Sequence, residues 1–217
     1  ARLVHPDGSL LIHHDRAYRT RIAAGLPCAV RTFGYSPEAD WTIEKVSDTV
    51  SSSVPPKKVS GLFSADRENH PDTFSVRRAG EVVCRFACRL PGEHMAANAA
   101  AAGILAHQLG VDWDGIGEAL CSFRGLDRRM QHLGSPGGVT VVDDYGHHPT
   151  EIDATLRALR DHHLRGDRGA DGRLICVFQP HQHSRTRFLL EQFASSFSTA
   201  DLVIVPHIYF VRDSEED

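Results

Sequence analysis

Lysine is nearly missing from this sequence of 217 residues. It occurs only as Lys45, Lys57 and Lys58, and none of them stands in a G-x-x-x-x-G-K-[ST] phosphate loop. Net charge is −4 with no polybasic tract, which argues against a nucleic-acid partner. No run of about 18 apolar residues exists, so no transmembrane helix is expected. The longest apolar helix candidate, Ala96–Leu109, is interrupted by Asn98, His107 and Gln108. No basic stretch leading into an apolar one opens the chain, so no secretory signal is expected. The five cysteines, Cys28, Cys84, Cys88, Cys121 and Cys176, are odd in number and scattered. That suits reduced thiols in a cytoplasmic protein better than a disulfide framework.

What is present is ordinary in bulk. Hydrophobic residues make up 41% and charged residues 24%, which excludes wholesale disorder, collagen-like repeats and coiled coil. The length suits one large domain or two modest ones. Histidine is the exception, with 14 residues clustered at His13-His14, His147-His148, His162-His163 and His181-Gln-His183.

The first half reads mostly as strands. Ala29–Tyr35 and Trp41–Val46 have strand composition, Val50–Lys58 reads as a loop, and Val59–Phe63 as a short strand. Thr73–Arg78 and Glu81–Leu90 flank Ala79-Gly80 as a β-hairpin. Pro91-Gly92 ends the sheet. A helix follows from about Met95 to Leu109, with Ala102, Leu105 and Leu109 on one face and Gly110 beyond its end. A second helix covers Asp114–Phe123, with Ile116, Leu120 and Phe123 inward.

Arg124-Gly125 reads as a domain boundary. Beyond it, Val139–Asp143 is a nearly continuous apolar strand, as expected where both faces of a parallel sheet are covered. Pro149 suits the first position of a helix with a stripe of Ile152, Leu156 and Leu159. After a loop at Arg165–Arg173 come a strand at Leu174–Phe178, a helix at Ser184–Phe197 with Leu190, Phe193 and Phe197 inward, and a strand at Leu202–Val205. This alternation implies right-handed crossovers and a parallel α/β sheet. Three strands are few beside the usual five or six or so. With the opening on Ala1 and the acidic end at Asp213–Asp217, the expectation is a fragment of a longer polypeptide.

In an open parallel sheet, ligands bind beyond the carboxyl ends of the strands. Two such ends are crowded with ionisable groups: Asp143-Asp144-Tyr145-Gly146-His147-His148-Pro149 and Gln179-Pro180-His181-Gln182-His183-Ser184-Arg185. Strand-to-helix turns need a cap and at most a glycine, so this excess marks a functional rim. Two chemistries compete for it. One is a metal site of His and Asp ligands. The other is a nucleotide and carboxylate site, with Asp144 on a ribose hydroxyl and Arg185 forked onto an anion.

Asp143–Ile152, DDYGHHPTEI, closely resembles a signature of the Mur ligases, in the branch that joins L-alanine to UDP-N-acetylmuramate. Gly92-Glu-His-Met-Ala-Ala-Asn98 resembles the family's G-x-H-N-x-x-N at a helix start. Phe123-Arg-Gly-Leu-Asp-Arg-Arg129 resembles its F-x-G-x-x-R-R hinge, and FQPHQHSRT at Phe178–Thr186 its F-Q-P-H-R-Y-S-R-T. Ala200-Asp201, Leu-Val-Ile-Val and Ile208-Tyr209 also fit. The matches cover about Pro91–Tyr209, and residues 1–90 match loosely.

The resemblance implies a β-rich end of a Mur central ATPase domain over residues 1–124. It implies a partial Rossmann-like parallel α/β domain over residues 125–217. It implies an ATP- and Mg²⁺-dependent ligase of peptidoglycan precursor synthesis. In that reaction the substrate carboxylate becomes an acyl phosphate, which the amino acid's amine attacks. His94, Asn98, Arg129 and Asp144 would bind ATP. Tyr145, His147, His181 and Arg185 would surround the amino acid, with Arg129 and His147 catalytic. UDP-N-acetylmuramate and L-alanine would be the substrates, with no nucleic acid and no membrane insertion. ATP and Mg²⁺ would be held mainly by parts outside this chain, which is expected to be inactive alone because it lacks the phosphate loop.

Two positions depart from the family pattern. Met95 replaces its first asparagine, and Gln182-His183 replaces its Arg-Tyr pair. Bland readings stand beside the functional ones. Asn98 fits a polar helix face, and Arg128 and Arg129 fit solvated hinge charges. His148 fits a helix cap, and His162-His163 fit a helix C-terminus. Cys84 and Cys88 fit buried thiols, and His13-His14 carry no assigned role. The alternatives to the ligase are a metal-dependent hydrolase using the His/Asp rim, a non-catalytic nucleotide-binding descendant, and a ligase that attaches a peptide.

Overall fold

The computed structural model describes residues 4–46, 72–164 and 172–207, with the side chains of residues 163 and 164 outside that set. The expected loop at Val50–Lys58, the strand at Val59–Phe63, most of the loop at Arg165–Arg173, and Ile208-Tyr209 lie outside the described residues. The chain divides into two compact units. One is Ala1–Leu90 with His94–Arg124, and the other is Pro91–Glu93 with Gly125–Asp217. No described helix is long and apolar enough to cross a membrane.

The first unit is built on a five-stranded sheet in the order β1-β2-β3-β4-β5. Its strands are β1 (Ser9–His13), β2 (Ala29–Gly34), β3 (Trp41–Lys45), β4 (Asp72–Arg78) and β5 (Glu81–Cys88). The first three pair in parallel, while β3-β4 and β4-β5 are antiparallel. The short helix α1 (Arg19–Ala23) makes the first crossover. The hairpin turn places Ala79 at φ 50° and Gly80 at φ 84°, the double left-handed geometry that matches strand twist.

Two helices complete this unit, α2 (Glu93–Gln108) and α3 (Trp113–Ser122). The Asp112 carboxylate caps α3, accepting the Gly115 N–H at 2.8 Å. The core joins Phe33, Trp41, Ile43, Phe74, Val76 and Phe86 to Ala96, Ala97, Ala100, Ile104 and Ile116. The buried side of α2 is therefore alanine and glycine rather than leucine. A Cβ at Gly103 would come within 3.0 Å of the Ile116 side chain, so glycine there sets how closely the helices approach. This corrects the expected face: Leu105 is exposed, Leu109 is 86% exposed, and Phe123 at the end of α3 is also exposed.

The second unit holds two small ladders. Strands β6 (Gln131–Gly134) and β7 (Val141–Asp143) pair antiparallel. Strands β8 (Ile175–Val177) and β9 (Leu202–Ile204) pair in parallel. Helix α4 (Pro149–Leu159) continues into a π-helical turn at Arg160–Leu164 that contains His162 and His163. Ile152 and Leu156 of α4 pack with Phe193, and Leu174, Cys176, Phe178 and Phe197 pack against them.

Three expectations change here. The strand at Val139–Asp143 is shorter, and its described partner is antiparallel. The helix over Ser184–Phe197 is two helices, α5 (His183–Phe188) and α6 (Leu190–Ser196), interrupted at Leu189, and Leu190 is exposed. The strands are also not covered on both faces. Ile175 and Val177 lie opposite Leu202 and Ile204, and all four are exposed. The alternate residues Leu174, Cys176 and Phe178 face the core, as the period of two requires.

At the far edge, the Asp201 carboxylate accepts the Leu174 N–H at 2.6 Å and pairs with Arg160 at 2.9 Å. It thereby fastens the start of β8 to the end of α4.

Candidate functional site

Chemistry concentrates where β7 runs into α4. Asp144 organises the turn through its backbone contacts. Its Oδ2 accepts the Met130 N–H at 2.9 Å, and its Oδ1 accepts the Gly146 N–H at 2.7 Å. A Cβ at Gly146 would sit 2.8 Å from that Oδ1, so only glycine fits the second position after Asp144. Met130 is fully buried, which holds its amide against the carboxylate. Each carboxylate oxygen keeps a second lone pair for another donor.

The hinge strand approaches from the other side. Arg128 and Met130 adopt φ of 60° and 51°, a left-handed conformation uncommon outside glycine, asparagine and aspartate. Arg129 stands between them. The Tyr145 N–H donates to the Arg128 carbonyl at 2.7 Å. The Arg128 guanidinium lies 4.8 Å and that of Arg129 5.8 Å from the Tyr145 ring centroid, within cation–π range. Arg128 also faces Asp143 at 3.7 Å. Both guanidinium groups thus lie against the aromatic ring, with Arg128 still exposed.

The first turn of α4 closes the cluster. His148 Nδ1 accepts the Thr150 N–H at 3.2 Å, and Glu151 folds back to the cap, so His148 takes the place of serine or threonine in a capping box. Glu151 Oε2 accepts the N–H of His147 at 3.0 Å and of His148 at 3.3 Å. Burial pushes the Glu151 carboxyl up, but these N–H donors and the charges of His147 and Arg129 outweigh it and hold it below the usual range. The His147 ring meets Tyr145 edge-on at 5.4 Å. Arg129, Asp144, Tyr145, His147 and Glu151 therefore form one connected group.

Other expected site residues lie elsewhere. His181 and Arg185 follow β8, on the loop leading into α5 and within its first turn. Arg185 is half-buried, and no described ion pair engages its guanidinium. Gln182 between them takes φ 69° without capping α5 through its side chain. His94 and Asn98 belong to the first unit, four residues apart on α2, with Asn98 exposed and His94 half-buried. Among the described residues, no group of three or more His, Cys, Asp or Glu side chains fits a metal ion. Burial pushes the Cys84 and Cys88 thiols up to about 11, consistent with packed rather than reactive sulfur.

Comparison with known proteins places this arrangement. Residues 128–216 match the family model described as Mur ligase, glutamate ligase domain. This chain belongs to the Mur ligase family. It is 40% identical over 178 residues to the UDP-N-acetylmuramate–L-alanine ligase of Anaeromyxobacter sp. (strain Fw109-5), covering 82% of this chain and 33% of that protein. It is 34% identical over 215 residues to the enzyme of the same name from Caldanaerobacter subterraneus subsp. tengcongensis, covering 99% of this chain and 41% of that one. The chain thus spans only a minor part of these relatives' length. Among solved structures, a UDP-N-acetylmuramate-alanine ligase from Thermotoga maritima matches with TM-score 0.58 and 26% identity, covering 82% of this chain and 34% of its own. A murein peptide ligase from Psychrobacter arcticus 273-4 shares the fold, with TM-score 0.59 and 22% identity over 94% of this chain and 38% of its own.

Two features of this Mur ligase cluster escape reasoning from sequence. Arg128 lies closer to the Tyr145 ring than Arg129 does, although the resemblance assigns a role to Arg129 alone. Glu151 is the second. Its signal is present as a glutamate three residues after the cap, but histidine in the cap position hides it.

Proposed function

We propose that this chain is part of an ATP-dependent ligase that joins L-alanine to UDP-N-acetylmuramate through an acyl phosphate, in peptidoglycan precursor synthesis in the cytoplasm. The observation that carries the reading is the arginine–tyrosine–histidine–glutamate group at the end of β7, inside the segment that matches the ligase domain. Residues 1–124 are assigned to the end of the central domain and residues 125–217 to the start of the C-terminal one.

Each role follows from the side chain's chemistry. His94 and Asn98 are assigned to the adenine edge. Arg129 balances negative charge on the phosphates as the terminal phosphoryl group transfers. Asp144 accepts a ribose hydroxyl on the lone pairs its backbone donors leave open. Arg185 holds the amino acid's carboxylate, since a guanidinium fork matches two oxygens. Tyr145, His147 and His181 surround the amino group and side chain. Mg²⁺ is assigned mainly to parts outside this chain, since among the described residues no group of three or more His, Cys, Asp or Glu side chains fits a metal ion. The same observation leaves the metal-dependent hydrolase without a described metal centre.

The intact ligase that carries this segment, given ATP, Mg²⁺ and UDP-N-acetylmuramate, should release phosphate in strong dependence on L-alanine. Release with glycine or serine instead would keep the reaction and move its specificity onto Gln182-His183. No release with any amino acid would overturn the reading in favour of a non-catalytic nucleotide-binding protein.

A further inference from the structure

The protonation pattern of one histidine can be read from its surroundings. His147 Nδ1 has the Tyr145 carbonyl oxygen at 3.2 Å and Glu151 Oε2 at 3.6 Å. The nearest groups facing this nitrogen are thus both hydrogen-bond acceptors. A ring nitrogen facing acceptors must carry the hydrogen, because a lone pair there would oppose two others. The neutral ring then bears its lone pair on Nε2. The side chain of His147 is 38% exposed in this chain.

Glu151 does more than neutralise charge. The same Oε2 that faces the ring also takes the backbone N–H groups of His147 and His148. The carboxylate therefore fixes the backbone that carries the imidazole and stands 3.6 Å from its Nδ1. The edge of the Tyr145–His147 ring pair restricts the remaining rotation.

We propose that Glu151 is a positioning residue: with the Tyr145 carbonyl it holds His147 in the Nδ1–H tautomer, presenting Nε2 to take the proton that an incoming amino group must lose. This rests on the ligase reading above for its substrate. An amino acid arrives as an ammonium group with no lone pair. One proton passes to His147 Nε2, and the freed lone pair forms the C–N bond at the acyl-phosphate carbonyl carbon. The C–O bond to phosphate breaks and phosphate leaves with that electron pair. The nitrogen's second proton goes to the departing phosphate, and His147 returns its proton to water. A carboxylate behind an imidazole is a recurrent way to fix a tautomer for proton transfer.

Glu151→Gln in the intact ligase separates positioning from capping. The amide oxygen still accepts from the two backbone N–H groups, because glutamine serves a capping box as glutamate does. The charge facing Nδ1 is lost. The expected result is a fall in kcat of roughly 10- to 100-fold with KM for ATP and for UDP-N-acetylmuramate unchanged, the scale of losing an orienting partner. A variant that keeps the wild-type kcat overturns the proposal and leaves Glu151 as a cap alone. The second measurement needs no variant: long-range ¹H–¹⁵N correlation of His147 in the wild-type ligase at alkaline pH. Protonated Nδ1 and bare Nε2 are expected, and the opposite tautomer overturns the proposal whatever the variant does. Wild-type ligase without L-alanine-dependent phosphate release overturns the ligase reading and the proton-transfer role with it. The tautomer is then still decided by the spectrum.

Discussion

The two units spend the same kinds of residue on different ends. The first closes five strands and two helices around large buried side chains, with Ile43, Val76, Phe86 and Ile104 at 1% exposure or less. The second covers one face of a two-stranded ladder and leaves Ile175, Val177, Leu202 and Ile204 exposed. Its polar groups add further ties. Asp144 ties the hinge to the β7 end, Glu151 ties the cap, and Asp201 ties β8 to α4. The comparison shows a larger apolar core in the first unit and a smaller one, around Ile152, Leu156 and Phe193, in the second, while carboxylates accept backbone N–H groups in both.

The sharpest way to break this contrast lies in the first core. Phe86→Ala should cost about 3–5 kcal/mol, the range for truncating a fully buried aromatic ring. Denaturant unfolding followed by tryptophan fluorescence checks it, since Trp41 shares the core and Trp113 packs against it. A cost below about 1 kcal/mol would mean that this core is not what holds the first unit.

Acid should act more gently, and on the second unit. Backbone donation from Leu174, outweighing burial and aided by Arg160, holds the Asp201 carboxyl below its ordinary 3.8, and Glu151 is held below its ordinary 4.5. Both are depressed carboxylates. Their contribution is fully present above those ordinary values and is lost as pH falls through the lower folded ones. Hydrogen exchange should show the Leu174 amide losing protection as pH falls below 3.8, while amides of β4 and β5 keep theirs. Equal loss in both units would erase the contrast.

The smallest effect is expected at Val177→Ser. Val177 is 68% exposed, so its change should fall within about 0.5 kcal/mol in the chain of 217 residues. A loss above about 1 kcal/mol, seen in thermal unfolding, would show that this strand face is covered.

Much of this contrast is legible in the sequence, and the parts that are not have physical causes. The hairpin is announced by Ala79-Gly80, and the start of α4 by His148-Pro149, because turns and caps are local. The buried stripe of α4 follows the helical period. The α2 face misleads because close helix approach selects alanine and Gly103 over leucine, so the apolar leucines point outward. Strand β1 and helix α1 escape because each is only five residues long and weakly patterned. The partner of β7 escapes because an apolar strand carries no mark of whether its neighbour runs parallel. In the site, Asp144, Tyr145 and His147 stand out by residue type. Glu151 does not, since its role depends on one oxygen reaching two amides and a ring.

The account's central claim is that the group around His147 handles the amino acid. The most direct measurement is phosphate release by the intact ligase against L-alanine concentration, for the wild type and for His147→Ala. The expected result is L-alanine-dependent release in the wild type and at least about a tenfold lower kcat in the variant, with KM for ATP unchanged, as for loss of a general base. A variant that releases phosphate as fast as the wild type would contradict the claim.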